Sequence, residues 1–256
     1  MSSHLNVYAL PKYASPQEIA AGTAVVIDVL RATTTIVYAL EAGAKEVIPC
    51  REIEEAFALA EKYPRGDILL GGERMGKPIA DFDFGNSPEE YLSFAVEDKT
   101  IIFTTTNGTQ AMSHARGAKQ IFLAAFANVS AVVQKLLGRE EVHILCAGTD
   151  GEFSEDDILL AGLIVERLQK LGGMIYELNA QAITAREFWM NRFAVPHAIG
   201  AEPIEPERLE SELRKSRGAK GLIELGYDED ILAAARVDQF KGVPELDREK
   251  FSVRLA

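Results

Sequence analysis

Short, nearly unbroken apolar runs recur along this chain, and each gives way to a cluster of small polar residues and then to a stretch of helical period. Ala24 to Leu30, Glu46 to Pro49, Ile68 to Gly71, Thr100 to Thr105, Gln120 to Ala124 and Val142 to Cys146 are too short for helices and read as strands. Helical stretches such as Glu52 to Lys62, Val129 to Leu137 and Ser154 to about Leu171 alternate with them. That order predicts an α/β fold, a three-layer α/β/α arrangement with a largely parallel sheet. Met174 to Leu178 reads as one more strand, and the C-terminal segment beyond it as mainly helical. Residues 201–206, rich in Pro and Glu, make the best break. The segment beyond that break is too short to fold alone, so a single domain over 1–256 is expected.

The polar clusters carry the chemistry. Asp28-Val29-Leu30-Arg31-Ala32-Thr33-Thr34-Thr35 sets an acid, a base and several hydroxyls where a buried strand meets a helix. A helix N-terminus offers unpaired N–H groups and partial positive charge to an anion, and Asp28 is suited to hold a divalent ion beside it. Thr104-Thr105-Thr106-Asn107-Gly108-Thr109 and Cys146-Ala147-Gly148-Thr149-Asp150 form two junctions of the same build, the latter followed by Glu155-Asp156-Asp157. A fourth segment adds Glu73-Arg74 and, further on, Asn86-Ser87-Pro88. Ser, Thr, Asn and Asp are also ordinary helix caps, so any one junction is equally well explained by capping. Several hydroxyls, an Arg and a set of carboxylates exceed what caps require. If the strands are parallel neighbours, their C-terminal ends bring these turns to one pocket.

Taken together, DVLRATTTI, GGERMGKPIADFDFGNSP, TTTNGT and AGTDGEFSEDDILLAG resemble the magnesium-dependent 2-phosphosulfolactate phosphatase family, in the family's order and across most of the chain from about Val25 to Pro244. The resemblance implies a phosphomonoesterase that releases inorganic phosphate from 2-phospho-3-sulfolactate, giving sulfolactate on one route to coenzyme M, with Mg2+ as cofactor.

Metal-assisted phosphoryl transfer suits the residues. Asp28, Glu73 and one of Asp156 or Asp157 are the metal-ligand candidates, since magnesium takes oxygen ligands and keeps several waters. Arg31, Arg74 and Asn107, with nearby N–H groups, are the candidates to hold phosphate oxygens and stabilise developing charge. Thr33, Thr34, Asn86, Ser87, Thr105, Thr106, Gly108, Thr109 and Gly148 are the remaining candidates for substrate contact. Asp28 is either a ligand or a nucleophile. Dehalogenase-type phosphatases place a second Asp two residues beyond the nucleophile, and Leu30 stands there, which favours attack by activated water. A second anionic group on the substrate calls for another cation, for which Arg186, Arg192, Arg217 and Lys220 are available. Two other readings stay open: a magnesium phosphatase for another small phosphorylated hydroxy acid, and a non-catalytic phosphosugar or nucleotide-binding module.

Composition narrows the partners. With 256 residues and a net charge of -12, the chain is a poor match for nucleic acid or acidic membranes, and its expected partner is a small anionic phosphorylated substrate. No apolar stretch approaches the roughly 18 residues of a membrane span, and no basic-then-apolar leader opens the sequence, so a cytoplasmic location is expected. A homodimer is compatible with the sequence. Cys50 and Cys146 give no disulfide framework, and Cys146 is followed by an acid where cysteine phosphatases carry Arg.

Overall fold

Ala24, Val25, Val26 and Ile27 are all buried, and they feed two different cores. Val25 and Ile27 pack with Leu5, Ile144 and residues of the helix Glu155–Leu171 such as Leu160 and Ile164. Ala24 and Val26 pack with Ile36 and Met112, from the helices Ala32–Glu41 and Gly108–Ala115. Burial of both faces is why the strand reads as a continuous apolar run instead of an alternating one.

The computed structural model of the chain describes residues 3–171, 173–193 and 204–256. Residues 201–203 of the expected break lie outside them. The strands are β1 Ser3–Tyr8, β2 Thr23–Ile27, β3 Glu46–Pro49, β4 Ile68–Arg74, β5 Lys77–Pro78, β6 Thr100–Thr104, β7 Gln120–Ala124, β8 Glu141–Cys146, β9 Tyr176–Leu178, β10 Pro244–Asp247 and β11 Ser252–Leu255. They form one open sheet in the order β5-β4-β6-β3-β11-β10-β7-β2-β8-β1-β9. The fold is α/β, and the sheet is mixed. Two parallel blocks, β4-β6-β3 and β7-β2-β8-β1-β9, flank the antiparallel hairpin β10–β11.

That hairpin adds two strands to a C-terminal segment expected to be mainly helical. Helices do fill much of it, at Ala180–Phe193, Pro206–Leu213, Arg217–Glu224 and Asp228–Ala234. The chain then returns as two four-residue strands with a Pro and several charged positions, too short and too polar to read as sheet interior. Each meets the neighbouring block at a single register pair, Glu245 with Phe122 and Val253 with Val47. Side chains supply the rest: Arg254 Nη2 reaches Glu46 Oε2 at 2.7 Å, and Gln120 Nε2 donates to Glu245 Oε1 at 3.0 Å. β1 also escaped the sequence reading, although Leu5 and Val7 alternate with polar neighbours as a strand requires.

Candidate functional site

The C-terminal ends of β2 and β4 and the turns after β6 and β8 meet around a cavity of about 480 Å3. Asp28, Arg31, Glu73, Asn86, Thr105, Thr106 and Asn107 line it, and Arg217 and Lys220 join them from the helix Arg217–Glu224. A larger hollow of about 680 Å3 lies at the opposite strand ends, lined by His4, Gly22, Lys119 and Glu141 and by none of the motif residues. Open α/β sheets bind at the carboxyl ends of their strands, so the smaller cavity is the candidate site. β2 and β8 are neighbours, as are β4 and β6, but four strands separate the two pairs. Contact is made instead by the helix Gly108–Ala115: a Cβ on Gly108 would sit 2.5 Å from Ala32 Cβ and 2.7 Å from Asp28 Oδ2. Glycine is the only residue that lets this turn approach Asp28 so closely.

Asp28 directly follows β2, with its carboxylate buried. The Ala32 N–H donates to Asp28 Oδ1 at 3.2 Å, a helix N-terminus holding an anion of the protein itself. Burial outweighs that bond and the Arg31 charge, and with repulsion from Asp156 and Glu73 it pushes the Asp28 pKa up to about 7. The threonines of the adjoining turn bond to backbone. Thr33 Oγ1 donates to Asp28 O and Ala124 O, Thr34 Oγ1 to Val29 O and Thr35 Oγ1 to Asn86 O, all at 2.7 to 2.9 Å. Thr33 and Thr34 therefore shape the turn and do not line the cavity, contrary to their assignment as substrate contacts.

Glu73 joins two turns. Its Oε2 accepts the Gly76 N–H at 2.7 Å and its Oε1 the Thr106 N–H at 2.8 Å. Arg74, the next residue on β4, faces away, because successive side chains of a strand leave on opposite sides. Its Nη2 donates to Arg51 O and Thr104 Oγ1, each at 2.8 Å. The expectation that Arg74 holds phosphate is corrected accordingly: it does not reach the cavity.

Arg31 does reach it, already engaged. Nη1 pairs with Asp230 Oδ2 at 2.6 Å, Nη2 donates to Gly76 O at 2.9 Å, and the guanidinium lies 4.6 Å from the Tyr227 ring centre. Ser87, expected at the substrate, donates to Asp230 Oδ1 at 2.5 Å. Its neighbour Asn86 lines the cavity with a buried Oδ1 that has no partner among the described residues. Thr109 bonds back to Thr105, its hydroxyl donating to Thr105 O at 2.6 Å. Asn107 occupies the cap position of its helix, yet its side chain makes no capping bond. The capping explanation therefore fails for Asn107.

Asp150 of the last motif lines the cavity, whereas the buried acids Asp156 and Asp157 do not. Asp157 accepts the Val29 N–H and the Gly148 N–H, both at 2.9 Å, so it ties the turn after β2 to the turn after β8. Gly148 belongs to this scaffold as well, at φ +69° with its amide committed to Asp157. Asp156 accepts from Ser154 Oγ and from the Ser216 hydroxyl, which also caps the helix Arg217–Glu224. Burial raises the pKa of both acids. Among the described residues no three His, Cys, Asp or Glu side chains gather as a ready metal cage. Asp156 and Asp157 thus stand apart from the ligand role expected of one of them. Asp28 and Glu73 are the buried carboxylates that line the cavity, a donor set that fits magnesium, which commonly binds through one or two carboxylates and keeps its waters.

Of the four cationic candidates, Arg186 and Arg192 are placed elsewhere, on Gln169 and Glu212 respectively. Arg217 lines the cavity but pairs with Glu152 and Asp150. Lys220 lines it without an ion pair among the described residues. Asp230 was missed as a site residue. Acids in the first turn of a helix read as ordinary dipole partners, and nothing in the local spacing ties this one to Arg31.

Comparison with known proteins gives one answer. The 2-phosphosulpholactate phosphatase family profile matches residues 8–249. A protein of Thermotoga maritima named probable 2-phosphosulfolactate phosphatase is 44% identical over 224 residues, covering 88% of each chain. A namesake from Caldanaerobacter subterraneus is 41% identical over 87% of this chain and 86% of its own, and one from Pseudothermotoga lettingae 37% identical over 96% and 97%.

Proposed function

Since the chain belongs to the 2-phosphosulpholactate phosphatase family, we propose that it hydrolyses 2-phospho-3-sulfolactate to sulfolactate and inorganic phosphate with magnesium, a step on one route to coenzyme M. The observation that carries this reading is the meeting of Asp28, Glu73, Arg31 and the Thr105–Asn107 turn in one cavity, although the turns come from distant parts of the chain.

Asp28 and Glu73 would hold the metal, which when bound would neutralise phosphate charge and polarise a water. Arg31 and the uncommitted side chain of Asn107 would bind the non-bridging oxygens and stabilise charge as the transition state forms. The water oxygen bonds to phosphorus and gives up a proton while the ester P–O bond breaks, and the leaving alkoxide takes up a proton to leave as the alcohol. Leu30 supports attack by water over attack by Asp28, since it supplies no second acid. Lys220 at the cavity mouth, free of ion pairs among the described residues, supports a substrate with a second anionic group such as a sulfonate.

Phosphate release should be measured across phosphorylated hydroxy acids, with and without chelator. Turnover of 2-phospho-3-sulfolactate, lost on metal stripping and restored by Mg2+, is expected. Full activity in the stripped enzyme would sink the magnesium role, and preference for an ester lacking the sulfonate would sink the substrate. A binding module without catalysis has no use for two buried acids in its phosphate cavity, so it is the weaker reading.

A further inference from the structure

Asp230 belongs to none of the four motif turns. It sits in the helix Asp228–Ala234 and is 2% exposed, yet both of its carboxylate oxygens reach those turns. Oδ2 takes Arg31 Nη1, and Oδ1 takes the Ser87 hydroxyl. Acids at a helix start are ordinarily solvated, so burying this one against a guanidinium needs a reason beyond the helix dipole.

The reason lies in what Arg31 would otherwise do. Asp28 and Glu73 line the same cavity, and Arg31 is close enough to Asp28 to influence its protonation. A free guanidinium would be drawn onto those carboxylates as a forked pair, filling the cavity with an internal salt bridge. Instead one nitrogen is held by Asp230, another by Gly76 O, and one face by the Tyr227 ring. Two of the five N–H donors are thereby committed, and the rest remain on a side chain that lines the cavity.

We infer that Asp230 is a positioning residue that holds the Arg31 guanidinium as a preformed receptor for the phosphoryl group and keeps it off Asp28 and Glu73. Through Ser87 the same carboxylate fixes the receptor to the turn that carries Asn86. The inference rests on reading this cavity as a phosphate site, and its test uses inorganic phosphate so that it can fail separately from the proposed substrate.

Phosphate binding to the full chain is measured by calorimetry alongside KM, kcat and melting temperature. Asp230→Asn should weaken phosphate binding and raise KM by about ten-fold or more, with Asp230→Glu recovering part of the loss. In an Arg31→Gln background, Asp230→Asn should add nothing further, because the group it positions is gone. A folded Asp230→Asn protein with phosphate affinity within about two-fold of wild type overturns the inference, as does an equal loss in the Arg31→Gln background. Should Asp230→Asn fail to fold, Ser87→Ala removes one anchor and leaves the ion pair; it should weaken phosphate binding several-fold, and an unchanged affinity overturns the inference. If the pattern holds but the phosphosulfolactate is not turned over, the proposed activity fails and the role of Asp230 stands.

Discussion

Asp28→Asn should make the metal-free protein more stable while abolishing its turnover. Burial, with Asp156 and Glu73 nearby, lifts the Asp28 pKa from 3.8 to about 7. A rise of about three units corresponds to roughly 4 kcal/mol between the two protonation states. Because the folded value lies above the unfolded one, the stabilising effect of the proton is fully present below pH 3.8 and is lost as the pH rises through about 7. At pH 8 the ionised acid therefore destabilises the metal-free fold. Asparagine carries no charge and keeps the Oδ1 that accepts the Ala32 N–H at 3.2 Å. Allowing for relaxation and water around the ionised acid, about half of that figure should be recovered, or about 2 kcal/mol, which is roughly 4 to 8 °C in melting temperature for a chain of this size. The assay is thermal unfolding of both proteins in chelator between pH 5 and 8.5, paired with phosphate release in Mg2+. The stability gap should close toward pH 5, while activity falls by about 100-fold or more across the range. A variant less stable than wild type at pH 8, or a gap that ignores pH, would refute the account of Asp28 as a buried and electrostatically strained acid.

Three further substitutions separate site from scaffold. Gly108→Ala places a methyl 2.5 Å from Ala32 Cβ and 2.7 Å from Asp28 Oδ2, so it should cost about 1 to 3 kcal/mol of stability and displace Asp28; wild-type stability and kinetics together would show that the turn yields freely. Arg74→Lys should leave KM and kcat within about two-fold, because the planar fork it loses serves Arg51 O and Thr104 Oγ1 and not substrate; a large KM effect would return Arg74 to the phosphate. Lys220→Gln should raise KM for phosphosulfolactate several-fold while sparing a phosphate ester without the sulfonate; equal effects on both would remove Lys220 from substrate choice.

Where burial is two-sided, the sequence was easy to read. β2, β6, β7 and β8 are buried from both faces, so their apolar runs stand out without reference to neighbours. The hairpin β10–β11 is legible only in its setting, since Glu245 and Arg254 acquire their places from β7 and β3. The same distinction runs through the site. Asp28, Glu73, Asn86, Thr105, Thr106 and Asn107 were identified from their turns and line the cavity. Thr33, Thr34, Ser87, Thr109, Gly148 and Asp157 come from the same turns and hold them in shape. A hydroxyl donates as well to a backbone carbonyl as to a phosphate, so residue type alone does not decide between the two. Strand alternation does decide one case: Glu73 and Arg74 are consecutive in β4, so a single cavity cannot receive both.

The placing of the acids explains why the last motif carries so many. Asp157 accepts from the turns after β2 and β8 at once, and Asp156 accepts from Ser154 and from the cap of the helix that brings Lys220 over the cavity. A neutral amide in place of Asp157 could not accept the Val29 and Gly148 N–H groups on separate oxygens, because one end of an amide is itself a donor. Two ionisable acids are thus used as double acceptors near a third, Asp28; Asp156 raises the pKa of both Asp28 and Asp157, and Asp28 raises that of Asp157. Without a cation the group is under mutual repulsion in a buried place, and the fold gives up stability there. Such a concentration of cost near one cavity is expected where local rules yield to binding chemistry, and it supports the cation proposed at Asp28 and Glu73.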